Sequence, residues 1–139
     1  MKRLLLIIAI SVFSSGVYAQ CNPDAYASAC VPKLADGFNF LKSYKIDGQG
    51  GQKEKIEYSY LFTKGTQYMI NLCAEGTDSD GIVVNLFDGA RNKIASNLIN
   101  GTFVNQLTML CNSTGIYYIQ YSFSGSKRFC GGSALGFKK

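Results

Sequence analysis

The chain has no histidine and no tryptophan among its 139 residues, and only two prolines. Without histidine, Ser-His-Asp and Cys-His catalytic arrangements are excluded. No pair of cysteines has CxxC spacing, so a structural zinc site is not expected. No GxSxG elbow, P-loop or HExxH occurs. Past the first 19 residues no apolar segment is long enough to cross a bilayer, and no transmembrane anchor is expected. No internal repeat or low-complexity linker marks a solenoid or a second domain. The formal charge is +5, but the basic residues are scattered. The one loose cluster, Lys42, Lys45, Lys53 and Lys55, alternates with Glu54 and Glu57. That pattern describes a solvated surface and no nucleic-acid partner.

What is present begins with an export signal. Lys2 and Arg3 supply a positive start, and residues 4–13 are apolar except for Ser11. Val17-Tyr18-Ala19 puts small residues where signal peptidase reads them. Cleavage after Ala19 makes Gln20 the mature N-terminus. Gln20 is a poor predecessor for a lipid-modified cysteine, which argues against acylation of Cys21. The expected organisation is a cleaved signal at 1–19, a helix/turn segment at 20–36 and a β-sandwich at 37–139, secreted or periplasmic.

All five cysteines follow the signal, in a chain that meets an oxidising compartment, so disulfides are expected. Two bridges are expected among Cys30, Cys73, Cys111 and Cys130, at the ends of predicted elements, with the pairing open. Cys21 is the odd thiol in this reading; a local Cys21–Cys30 bridge is the rival.

Asn22-Pro23-Asp24 is a helix start: a side-chain cap, a proline whose missing N–H is harmless, and an acid at the positive end. Pro32 ends a short surface helix. From Gly37 the period becomes two. Phe38, Phe40, Tyr44 and Ile46 share one face, with Leu41 and Lys42 breaking the pattern. Ile56, Tyr58, Tyr60 and Phe62 form a second half-buried set. These two strands read as a long-looped hairpin around the glycines of 47–51. Tyr68, Ile70 and Leu72 alternate again, and 82–87 is nearly continuous and therefore central. Residues 94–99 read as an edge. Leu107, Met109 and Cys111 alternate, 116–123 is aromatic and β-branched throughout, and 129–137 closes the domain with glycines loosening it. The fold class is all-β: a jelly-roll-like antiparallel β-sandwich of about eight strands with a short N-terminal helix.

Several of these residues fall in a familiar order: Tyr60-Leu61-Phe62, Gly65, Tyr68-Met69-Ile70-Asn71-Leu72, Val83-Val84-Asn85-Leu86-Phe87-Asp88, then Thr114-Gly115-Ile116-Tyr117-Tyr118-Ile119. The order resembles the bacterial pre-peptidase C-terminal domain, a jelly-roll module appended to exported enzymes. The resemblance implies a secreted β-sandwich with an accessory role. The chain departs from that family in standing without a protease and in carrying cysteines.

The residue-level candidates for chemistry are few. Glu75, Asp78, Asp80 and Asp88 could gather oxygen ligands for Ca²⁺, although such residues serve turns more often; no other cofactor is expected. Tyr118 and Gln120, on the face opposite Tyr117, Ile119 and Tyr121, are the candidate ligand-binding residues, for a polysaccharide or an envelope protein. The leading expectation is a non-catalytic accessory or binding module. The alternatives are an envelope protein self-associating through the 94–99 edge, and a small hydrolase working with carboxylates such as Asp78 and Asp80.

Overall fold

The computed structural model describes residues 21–74, 81–123 and 129–139. The signal at 1–19 and the acidic residues Glu75, Asp78 and Asp80 lie outside the described residues. One α-helix, α1 (Pro23–Cys30), precedes the strands β1 (Asn39–Asp47), β2 (Lys55–Phe62), β3 (Gln67–Ala74), β4 (Ile82–Phe87) and β5 (Lys93–Ser96). The short β6 (Leu98–Ile99) and β7 (Thr102–Phe103) follow, then β8 (Gln106–Leu110), β9 (Gly115–Phe123) and β10 (Cys130–Lys138). No described helix is long and apolar enough to cross a membrane.

The strands form two four-stranded sheets, β1-β10-β3-β8 and β2-β9-β4-β5, with β6 and β7 as a separate ribbon. Every neighbouring pair is antiparallel. Successive strands switch sheets at β1 to β2, β2 to β3, β3 to β4 and β8 to β9, and again at β9 to β10. This is jelly-roll connectivity in an all-β sandwich. The expected β1–β2 hairpin is therefore corrected. β1 pairs with β10 and β2 with β9, and the glycine-rich connection carries the chain from one sheet to the other.

The inner faces hold the core: Tyr44 and Ile46 from β1, Phe62 from β2, Ile70 and Leu72 from β3, Val84 and Leu86 from β4, Ile119 and Tyr121 from β9. Phe62 stacks on Tyr68 across the sandwich at 3.9 Å between ring centroids, and on Tyr117 at 4.8 Å. Phe40 was expected on this face and is not there. The register slips between Phe40 and Lys42, so one extra residue reverses the parity. Leu41 packs against the core, while Phe40 is 48% exposed.

The two outer faces differ. On the β1-β10-β3-β8 sheet, α1 lies across the strands. Its start is capped by the Asn22 side chain, which accepts from the Ala25 N–H at 3.3 Å. The helix is no mere surface turn: Ala27 and Cys30 are buried beneath it. Gly132 lets it approach, because a Cβ there would collide with the backbone of Tyr26 and Ala27. Buried Asn71 then joins helix to sheet. Its amide donates to the Cys30 carbonyl at 2.7 Å, and its side-chain oxygen accepts from the Ala134 N–H at 2.8 Å. The first of these satisfies a carbonyl left orphaned at the helix end. The other sheet's outer face carries no covering element among the described residues.

Disulfides join Cys21 to Cys130 and Cys30 to Cys73, and Cys111 is the buried free thiol. This corrects the expected set, in which Cys21 stood alone and Cys111 was bridged. Alternation on β8 turns Cys111 into the core, away from the helix side where the other cysteines meet. Cys21 reaches the start of β10 because α1 folds back over the sheet.

Candidate functional site

Three connections meet at one end of the sandwich. The β2–β3 turn and the β8–β9 loop are laced together: the Gly65 N–H donates to the Cys111 carbonyl at 2.9 Å, and the Cys111 N–H to the Thr66 carbonyl at 3.0 Å. The Lys64 N–H adds a bond to the Thr114 hydroxyl at 2.9 Å. Beneath them the Tyr117 hydroxyl donates to the Ser113 carbonyl at 2.7 Å. Burial, and then the Cys111 thiol beside it, pushes the Tyr117 phenol up to about 12.

The third connection is the β4–β5 turn. The Asp88 carboxylate accepts from the N–H groups of Ala90 and Asn92 at 3.0 and 2.8 Å, and from the Asn92 amide at 3.2 Å. Those bonds, led by that from the Asn92 backbone, hold its carboxyl below the usual range. Asp88 stands at the far end of β4 from Gly81, and the other acids proposed with it as calcium ligands, Glu75, Asp78 and Asp80, lie outside the described residues.

Arg91 takes the left-handed conformation in this turn, with φ of 66°. Glycine is the usual occupant there, since a side chain is crowded in that region. Arg91 uses the position to reach back over the bare sheet. Its guanidinium lies over the Tyr118 ring at 3.6 Å from the centroid, and its Nη1 contacts both oxygens of Glu57 at 2.8 and 2.9 Å. Gln120 also donates to Glu57, at 3.4 Å. The structure thus brings Tyr118 and Gln120 into one cluster. Arg91 covers one face of the Tyr118 ring.

Strand pairing sets the rest of this outer face. Glu57, Gln120 and Asn85 form one row, Ser59, Tyr118 and Phe87 the next, and Leu61 and Ile116 the last, beside the loops. Leu61 is 55% exposed and Ile116 45% exposed. Around the Asn112–Gly115 corner lie two hollows of about 310 and 300 Å³ that share Asp88, Ser113 and Tyr117. Ile94 and Leu110, also exposed, line the first, and Ile116 lines the second. The surface is an apolar end flanked by a held charge pair. Arg91, Leu61 and Ile116 were not singled out in sequence as site residues. Leu61 could have been, as an apolar residue at a polar phase of an alternating strand.

Among the described residues no three acids or cysteines gather as a metal site. No family model matches the chain, and no curated protein matches it in sequence. Among solved structures it is similar to PliG of Aeromonas hydrophila, described as a periplasmic lysozyme inhibitor of g-type lysozyme. The TM-score is 0.50 and the identity 15%, over 76% of this chain and 91% of that one. At that identity the likeness establishes the fold alone, an all-β sandwich.

Proposed function

We propose that the protein is an exported, non-catalytic binding module that docks a protein partner through the loop end of its sandwich. The observation that carries this reading is the exposed Leu61–Ile116 pair next to a preorganised Arg91–Tyr118–Glu57 cluster. Apolar area and a fixed arginine, with little side-chain entropy left to lose, are the usual makings of a binding hot spot. Export rests on the leader at 1–19 and on bridging of four cysteines. The motif order similar to the pre-peptidase C-terminal domain supports an accessory role, and a solved inhibitor with this fold supports an enzyme as the partner. A g-type lysozyme is the first candidate, because that is what the similar protein inhibits.

The test places a photocrosslinking residue at position 116, or at position 42 on the opposite sheet, in cells that make the protein. One discrete adduct from position 116, absent from position 42, is expected. Equal or absent crosslinking from both sites overturns the reading. In a lysis assay with g-type lysozyme, wild-type protein should inhibit, and Ile116→Lys should weaken inhibition at least about tenfold.

A second reading is self-association. Exposed Ile99 lines a groove of about 590 Å³ that runs between residues 95–100 and β8, where the two sheets present free edges. Sedimentation at micromolar concentration distinguishes the two: a dimer lost in Ile99→Lys would favour this reading.

A further inference from the structure

Two tyrosine hydroxyls sealed inside the sandwich make no well-formed hydrogen bond among the described residues. Tyr44 on β1 is 2% exposed and Tyr121 on β9 is fully buried. They come from opposite sheets and flank one ring. Tyr58 lies 4.7 Å from Tyr44 and 6.2 Å from Tyr121, between centroids. Tyr58 itself is satisfied, donating to the Lys45 carbonyl at 2.6 Å. A third hydroxyl belongs to this layer. Ser133, fully buried, is the cross-strand partner of Tyr44. Its hydrogen goes to the Asn71 carbonyl at 2.6 Å, which leaves its oxygen free to accept. It is also a polar neighbour of the Tyr121 phenol, which it favours in its ionised form as a long, poorly aligned hydrogen bond rather than a well-formed one.

Buried hydroxyls without partners are costly, and buried tyrosines are normally satisfied. Two in one layer of a small domain call for a common partner. That partner must both donate and accept, and it must be small enough to sit between the sheets. We infer that Tyr44, Tyr121 and Ser133 form an internal hydration site holding one ordered water. The water accepts from both phenols and donates to the Ser133 oxygen, within the two to four partners that a buried water ordinarily finds. It joins the two sheets at the layer where their aromatic packing is interrupted by polar atoms. No ionised phenol is involved: burial, above all, raises both Tyr44 and Tyr121 well beyond the usual tyrosine range.

The experiment uses the mature, oxidised protein. A crystal structure resolving ordered solvent should show one peak within hydrogen-bonding distance of both phenol oxygens. Magnetisation transfer from a long-lived water to the neighbouring protons should show it in solution. Tyr44→Phe and Tyr121→Phe should each lower the urea midpoint, and the double variant should lose less than the sum, because the second change removes a water already lost. A direct Tyr44–Tyr121 hydrogen bond with no solvent peak overturns the inference. So do single variants that raise the midpoint while the wild-type layer is dry. If a variant does not fold, the wild-type solvent peak and magnetisation transfer decide alone. None of these readouts involves the loop end, so the docking proposal stands or falls separately.

Discussion

Arg91 is held in the left-handed conformation by a turn, and its contacts return about what that conformation costs. A non-glycine residue in the left-handed region costs on the order of 1 kcal/mol. Its contacts return a similar amount: about 0.5–1 kcal/mol for a cation over an exposed ring, and less for a solvent-screened ion pair. The net effect on folding is close to zero. Arg91→Gly should therefore leave the urea midpoint nearly unchanged while weakening partner capture at position 116. A large loss of stability would mean that the guanidinium braces the sheet instead. The composition disclosed this arginine but not its contacts. Its placement depends on a turn conformation, and Glu57 comes from a strand far away in sequence.

At the scale of the element, α1 is the clearest case of local and tertiary signals acting together. Its start was legible: Asn22, Pro23 and Asp24 act as the cap, the first-turn proline and the favourable charge that their types suggest. Its burial was not. That depends on Gly132, which in sequence only loosens a strand, and on Asn71, an apparently ordinary polar residue of an alternating strand. Gly132→Ala should push the helix off the sheet and strain both disulfide-bearing ends. A stability loss of about 2–3 kcal/mol is expected, as for overpacked sites. Amide exchange should quicken across residues 23–30 while β4 and β9 stay protected. Uniform quickening of every strand would show that the helix is no separable layer. β1 teaches a related lesson. One bulged residue moved Phe40 from the expected core to the surface, and the only sign in sequence was that Leu41 and Lys42 broke the alternation.

For the whole molecule, the interior is rich in phenols, and this sets its response to alkali. Burial first of all raises Tyr44, Tyr58, Tyr117 and Tyr121 above the ordinary value of 10.0, with Tyr117 at about 12. In the unfolded chain these groups ionise near the ordinary value. The fold thus binds more protons than the unfolded chain above pH 10, so stability is fully present below that pH and falls as pH rises through the folded values. Urea midpoints should be flat from neutrality to about pH 9 and then drop, with the ionisation of these four phenols rising in step with unfolding. Titration of these four phenols well before unfolding would contradict the buried-phenol core. The two disulfides, spanning 109 and 43 residues, oppose this loss by restricting the unfolded chain, each by about 4–5 kcal/mol on loop entropy alone.

The sequence by itself determined the secondary structure and the sheet character. Side chains alternate at period two wherever a strand buries one face, and that rule is local. It revealed the helix start, the aromatic inner faces of β2 and β9, the central position of β4 and the edge position of β5. Only the tertiary structure decided which strand lies beside which, which cysteines meet, and which outer face stays bare. A turn that closes a hairpin and a turn that crosses between sheets use the same glycines and aspartates, so β1 and β2 looked paired although they lie in opposite layers. Strand pairing and disulfides link residues distant along the chain, and local side-chain chemistry carries no record of those partners.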